Sequence, residues 1–168
     1  MLATRIATPA DIPAIARVWA AANRARHAEA GLPSHAYAAD AEQRVRNRLA
    51  ANPGNFAVLV EDGDQVVAIG FVVQALADDG ASQEPLPGLA HVAMVGVHPD
   101  RWGQGLGGLV VEQAQRTAKE RGYTRAQLWT QTTNRRAQRL YERLGWQESG
   151  KTKVDNHGEL ILHYQREL

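Results

Sequence analysis

The chain contains no cysteine, only two phenylalanines and two methionines, and no apolar run near the ~20 residues a membrane span needs. Without cysteine, disulfides, zinc–thiolate sites and a cysteine nucleophile are excluded together. Charge of one sign is lacking too, because 19 Lys and Arg offset 18 Asp and Glu to leave a net charge of +1. No global field therefore steers the protein to nucleic acid or to an anionic membrane, and any anion site must be built locally. The opening Met1-Leu2-Ala3-Thr4-Arg5 has no long apolar stretch, and Asp11 and Pro13 soon follow. No signal peptide and a soluble, cytoplasmic protein are the expectation.

What is present is an ordinary globular mix over 168 residues, 44% hydrophobic and 22% charged. A chain of this length fits one domain, 1–168, able to bury roughly two thirds of its unfolded surface. No internal repeat interrupts it. Thr4 to Ala7 reads as a first strand, and Thr8 or Asp11 caps a helix carrying Ile12, Ile15, Trp19 and Ala22 on one stripe. That helix should stop near Gly31-Leu32-Pro33. A second, from about Asp40 to Ala50, buries Ala41, Val45 and Leu49 and turns Arg44, Arg46 and Arg48 the other way. Phe56 to Glu61 and Gln65 to Gln74 form a hairpin around Asp62-Gly63-Asp64.

Ala77 to Gly88, rich in Gly, Pro and acidic residues, reads as a loop, and Leu89 to Val97 as a buried strand. Gly105 to Arg121 is helical, Ala126 to Thr130 a strand and Asn134 to Leu144 a helix. Two final strands, about Trp146 to Val154 and Glu159 to Gln165, meet at a turn over Asp155-Asn156-His157-Gly158. The order predicts an α/β domain with a mixed central sheet of about seven strands and about four flanking helices. Strands flanking the two helical crossovers, after Val97 and after Thr130, should run parallel where they pair directly.

The most informative segment joins a strand to a helix: Val97-His98-Pro99-Asp100-Arg101-Trp102-Gly103-Gln104-Gly105-Leu106-Gly107-Gly108. A helix N-terminus leaves amide N–H groups unpaired and favours negative charge. Glycines let backbone approach an anion with no Cβ between, and a diphosphate suits such a nest. Four glycines in six residues are costly for helix entry unless bare backbone is needed. Gly103, Gly105 and Gly108 formally satisfy G-x-G-x-x-G, but five residues separate Val97 from Gly103. The next strand ends in the neutral Leu128-Trp129-Thr130-Gln131, without the acidic residue a dinucleotide site needs. No Gly-Lys-Ser/Thr follows, so a P-loop is excluded as well.

Here the sequence resembles the GNAT superfamily of acetyl-CoA-dependent N-acetyltransferases. Val97-His98-Pro99 followed by Gly103-Gln104-Gly105-Leu106-Gly107 fits one family motif, with Trp102 where Arg or Gln usually precedes the first glycine. Asn134, Ala137, Tyr141, Gly145 and Trp146 reproduce a second motif, Asn-x2-Ala-x3-Tyr-x3-Gly-Phe/Trp. The resemblance implies a splayed parallel strand pair that holds acetyl-CoA as cosubstrate, and no metal. Cofactor contacts would come from Val95, Gly96, Val97, Gly103, Gln104, Gly105, Leu106, Gly107, Gly108, Asn134, Ala137 and Tyr141.

The implied reaction is direct attack of a primary amine on the thioester, through a tetrahedral intermediate, with a non-catalytic acetyl-CoA-binding module as the alternative. Tyr141 sits in an apolar stripe, where tyrosine is usually core; the resemblance makes it the proton donor to the departing thiolate. Asn134 caps its helix in either reading. His91, in a strand where histidine is more often structural, occupies a place where relatives often carry a glutamate base. Arg135, Arg136, Arg139 and Arg143 read as a solvated face, one or two of which could meet the CoA 3′-phosphate.

The acceptor would be a small-molecule or peptide amine. It would be shaped by residues around Asn23 to Asp40, including His27, Glu29, His35 and Tyr37, and around Ala75 to Leu89. Asp78, Asp79 and Glu84 there lean the expectation towards a cationic amine. Dimerisation, common among relatives, is left open by the sequence.

Overall fold

The computed structural model describes residues 1–33 and 40–168. The elements run β1 (Leu2–Ile6), α1 (Ile12–Glu29), α2 (Ala41–Ala51), β2 (Phe56–Asp62), β3 (Gln65–Leu76), β4 (Pro85–Val97), α3 (Leu106–Glu120), β5 (Arg125–Gln131), α4 (Arg135–Arg143), β6 (Gln147–Val154) and β7 (Leu160–Glu167). His35 and Tyr37, expected to help shape the acceptor site, lie outside the described residues.

At the entry to α1 both cap candidates take part. The Asp11 carboxylate accepts from the Thr8 N–H at 2.7 Å and from its hydroxyl at 3.0 Å, while Arg5 reaches both Asp11 oxygens at 2.7 and 2.8 Å. The Arg5 guanidinium holds the Asp11 carboxyl well below the usual carboxylate range. Asp40 stands at the N-cap position of α2, one residue before the helix, where its carboxylate accepts from Arg44 at 2.9 Å and not from a helix N–H.

All seven strands join one sheet in the order β1-β2-β3-β4-β5-β7-β6. β4 and β5 pair in parallel, as the first helical crossover requires. The second crossover brings β6 back to the sheet with β7 between it and β5, so β5 and β6 do not pair directly. The segment read as a loop is shorter than expected. β4 begins at Pro85, which pairs with Leu76, because proline is tolerated where a strand starts and no ladder N–H is needed.

Apolar side chains separate onto the two faces. Val92, Ala126, Leu128, Tyr141, Trp146 and Tyr164 belong to a core beneath α3 and α4. Ile15, Val18, Val45, Leu59, Phe71 and Met94 belong to another beneath α1 and α2. Gly70 permits the closest helix–sheet approach, since a Cβ there would collide with Val110 of α3.

The feature that makes the site is a fault in β4. Val92 pairs with Val72 and Met94 with Phe71, so Ala93 is an extra residue, a bulge. Parallel pairing with β5 runs from Leu89↔Arg125 to Val92↔Leu128 and stops there. Beyond the bulge β4 continues to Val97 and β5 to Gln131 with no ladder between them.

Candidate active site

Where β4 and β5 part, a cleft of about 800 Å³ opens, walled by α1, α2, β4, the glycine-rich turn, β5, α4 and the β6–β7 turn. Val95, Gly96 and Val97 form its β4 wall. Their backbone bonds to β3 along one edge, as in Val95↔Gly70 and Val97↔Ala68. The other edge has no strand partner among the described residues. An unpaired parallel edge offers N–H and C=O groups at strand spacing to any extended amide-bearing ligand.

Past Val97 the chain makes a short 3-10 turn at Pro99–Arg101 and then enters α3 through glycines. Gly103 and Gly105 adopt φ of +79° and +77°, the left-handed region, and a Cβ on either would meet nothing within 4 Å. Glycine is required there by backbone conformation, and the space before the backbone is left open. Gly105 is the N-cap of α3, so the N–H groups of Leu106, Gly107 and Gly108 face forward without intrahelical acceptors. Gly107 serves packing as well: a Cβ there would sit 3.0 Å from Leu140 Cδ2, bringing α3 and α4 close. Gln104 accepts from Arg101 Nε at 2.9 Å, and Arg101 also pairs with Asp62 at 2.9 Å.

Trp102 has a job of its own. Its indole N–H donates to the Val97 carbonyl at 2.8 Å, and Arg136 lies 3.8 Å above its ring. Arg136 is held in turn by both oxygens of Glu29, at 3.0 and 3.1 Å, so α1, the glycine turn and α4 are tied together. Arg136, Arg139 and Arg143 all line the cleft, so much of the expected solvated face is part of its wall.

α4 starts at the cleft. Asn134 accepts from the Ala137 N–H at 3.2 Å, a side-chain cap, and Asn134, Ala137 and Tyr141 all line the opening. Tyr141 is 6% exposed, with the rings of Trp146 and Tyr164 each 6.0 Å away. Burial pushes its pKa up, so the hydroxyl keeps its proton through the physiological range. The tyrosine is thus both a core residue and a cleft residue.

His91 is placed differently. It pairs with Val73 and Gln127 before the bulge and is not among the residues lining the cleft. Its Nδ1 is buried without a hydrogen-bond partner. Burial, then the charges of Arg48, Lys153 and His163, lower its pKa to about 4. It is neutral near pH 7 and a weaker base than free imidazole, not the near-neutral titrating group its residue type suggests.

The far wall is closed by an ion pair that sequence spacing does not reveal. Arg26 of α1 meets both oxygens of Glu159, at 2.9 and 3.1 Å, with each side chain 10% exposed. The Thr133 hydroxyl at 3.4 Å and His27 Nε2 at 3.6 Å also reach Glu159. These contacts join α1 to the β6–β7 hairpin across 133 residues of sequence.

The model of the acetyltransferase (GNAT) family matches residues 18–146, more than half of the chain and the whole of the cleft's glycine turn and α4. The chain belongs to the GNAT acetyltransferase family. No curated protein matches it by sequence. Among solved structures, the ribosomal-protein-S18-alanine N-acetyltransferase from Escherichia coli superimposes with a TM-score of 0.73 at 17% identity, covering 99% of this chain and 94% of that one. PaiA N-acetyltransferase from Thermoplasma acidophilum, in complex with coenzyme A, gives 0.73 at 11% identity, covering 99% of each chain. YncA from Salmonella typhimurium, with its cofactor acetyl-CoA, gives 0.71 at 18% identity, covering 100% of this chain and 94% of that one.

This GNAT protein therefore has the family's seven-stranded sheet with its parallel β4–β5 pair and four helices. Of the residues singled out from sequence, the β4 edge, the glycine turn and α4 meet in one cleft, and His91 lies outside its lining. Trp19, Arg26 and Arg48 join the lining without any motif to announce them. Among the described residues no helix is long and apolar enough to cross a membrane, and no group of three or more His, Asp or Glu could hold a metal ion.

Proposed function

We propose that the chain, as a single N-acetyltransferase domain over 1–168, transfers an acetyl group from acetyl-CoA to a primary amine. The observation that carries this reading is convergence: a bare glycine-framed helix N-terminus, an unpaired strand edge and a protonated tyrosine share one cleft. The N–H groups of Leu106 to Gly108 suit a diphosphate, with Arg136, Arg139 and Arg143 beside them as further anion partners. Val95, Gly96 and Val97 suit the amides of a pantetheine arm, with Asn134 and Ala137 opposite.

Bound acetyl-CoA supplies an activated acetyl thioester. The amine forms the new C–N bond, the C–S bond breaks, and Tyr141 holds the proton that the departing thiolate takes up. Burial that keeps this hydroxyl protonated fits a donor, and its place beneath the cleft fits delivery to sulfur. The proton lost by the amine goes to solvent, or by way of an intervening group to the neutral His91, which stands outside the cleft lining on the far side of the bulge.

Calorimetric titration with acetyl-CoA, followed by thiol release over an amine library, tests the reading. Micromolar acetyl-CoA binding with amine-dependent thiol release is the expected result. Absence of acetyl-CoA binding would overturn it, and tight binding without turnover on any amine would make the protein a non-catalytic acetyl-CoA module.

A further inference from the structure

The cleft has two chemically different ends. At one end lie the glycine turn and the arginines of α4. At the other, α2 sets Arg44 and Arg48 one helical turn apart along the wall. β4 gives the scale: from His91 to the turn after Val97 is roughly 20 Å of strand. The Arg48 carbonyl accepts from Asn55 at 2.7 Å, Asn55 in turn accepts from the Gln74 N–H at 3.0 Å, and Gln74 pairs with Ala90, so Arg48 belongs to the end away from the glycine turn.

The carboxylates beside the cleft at this end are engaged. Asp40 holds Arg44 at 2.9 Å and Glu159 holds Arg26 at 2.9 Å. Asp155, the one carboxylate lining the cleft among the described residues, accepts the N–H groups of His157 and Glu159 at 2.9 Å each. Segment 34–39 contains no Asp or Glu in its sequence. Asp78 and Asp79 line a neighbouring hollow and not the cleft.

The Arg48 guanidinium is left with no hydrogen bond or ion pair among the described residues. Arg48 is exposed where it lines the cleft, with Arg44 one turn away adding like-charge repulsion. An unpaired guanidinium on a cleft wall is available to an anion brought by a ligand.

We infer that the acceptor is a small amine that also carries an anionic group, carboxylate or phosphate, and that Arg48 binds that group. This rests on the acetyltransferase reading and narrows its substrate class. An anion held by Arg48 anchors the acceptor at the end remote from the diphosphate site, leaving its amine free to point along the cleft.

The test compares matched acceptors with the whole protein and saturating acetyl-CoA. L-Amino acids are set against their carboxamides, and phosphoethanolamine against ethanolamine, which separates carboxylate from phosphate. The anionic member of at least one pair is expected to show kcat/KM higher by about ten- to a hundredfold, mostly through KM. Arg48→Gln should abolish that preference and Arg48→Lys should keep part of it, while acetyl-CoA affinity stays unchanged in both. Equal use of charged and neutral partners, or a preference that survives Arg48→Gln, would overturn the inference while leaving acetyl transfer intact. If no amine releases thiol, the enzymatic reading fails separately. Tryptophan fluorescence of the CoA-loaded protein then decides, with N-acetyl-amino acids and N-acetylphosphoethanolamine set against their neutral counterparts. Arg48-dependent binding of the anionic member supports the site, and its absence overturns it.

Discussion

Tyr141 carries two duties that pull in the same direction. Its ring fills the core against Trp146 and Tyr164, and that burial keeps its hydroxyl protonated. Tyr141→Phe keeps the ring and removes the proton, so the fold should persist while kcat falls roughly ten- to a thousandfold. Steady-state kinetics beside circular dichroism checks both halves; an unchanged kcat would take Tyr141 out of the chemistry. His91 makes a different prediction. Its folded pKa, lowered from 6.5 to about 4, lies below the unfolded value, so the unfolded state binds more protons between those limits. The associated stability is whole above pH 6.5 and is lost as pH falls through 4, a swing on the order of 3 kcal/mol. Urea unfolding of wild type and His91→Gln at pH 7 and pH 4.5 should show a smaller acid loss in the variant. If His91 also accepts the amine's proton, the acid limb of the rate profile it controls lies near pH 4 and disappears in the same variant.

Among the elements, the turn into α3 and the bulge in β4 decide most. Gly105→Val forces a branched residue into the left-handed region, at about 1–2 kcal/mol, but meets no neighbour. Stability should fall by about that amount, while acetyl-CoA affinity drops about tenfold or more because the new side chain stands before the helix N–H groups. A melting curve and a calorimetric titration on one sample separate the two effects. Gly70→Ala acts through packing instead: it drives a Cβ into Val110 and should cost about 1–3 kcal/mol through overpacking of α3 on β3.

At the scale of the whole molecule, α1 is fastened to the far end of the chain by Arg26 and Glu159. Glu159→Gln would leave the Arg26 cation largely out of water without its counter-charge, a loss of about 3–5 kcal/mol for a buried pair. With about 2–4 °C per kcal/mol in a chain of this size, thermal unfolding should come at least 6 °C earlier. Arg26 lines the cleft, so if the end away from the glycine turn takes the acceptor, acceptor KM should rise more than acetyl-CoA Kd. A variant that melts like wild type would show that the pair is not a structural tie.

Local chemistry in the sequence sufficed for the elements and for half of the site. Amphipathic stripes, the Asp62-Gly63-Asp64 turn, the Thr8–Asp11 pair and the Asn134 cap act over a few residues, and each appears where its spacing places it. The glycine turn is legible because positive φ and bare helix N–H groups demand a residue type that nothing else at a helix entrance favours. Tertiary structure decided the rest. The bulge at Ala93 is a mismatch between two strands, and no residue within β4 announces it. The Trp102–Arg136–Glu29 stack, the Arg26–Glu159 pair and the unpartnered Arg48 depend on side chains far apart in the chain. The low pKa of His91 depends on the burial and charge gathered around it, which become definite only when the sheet and helices close.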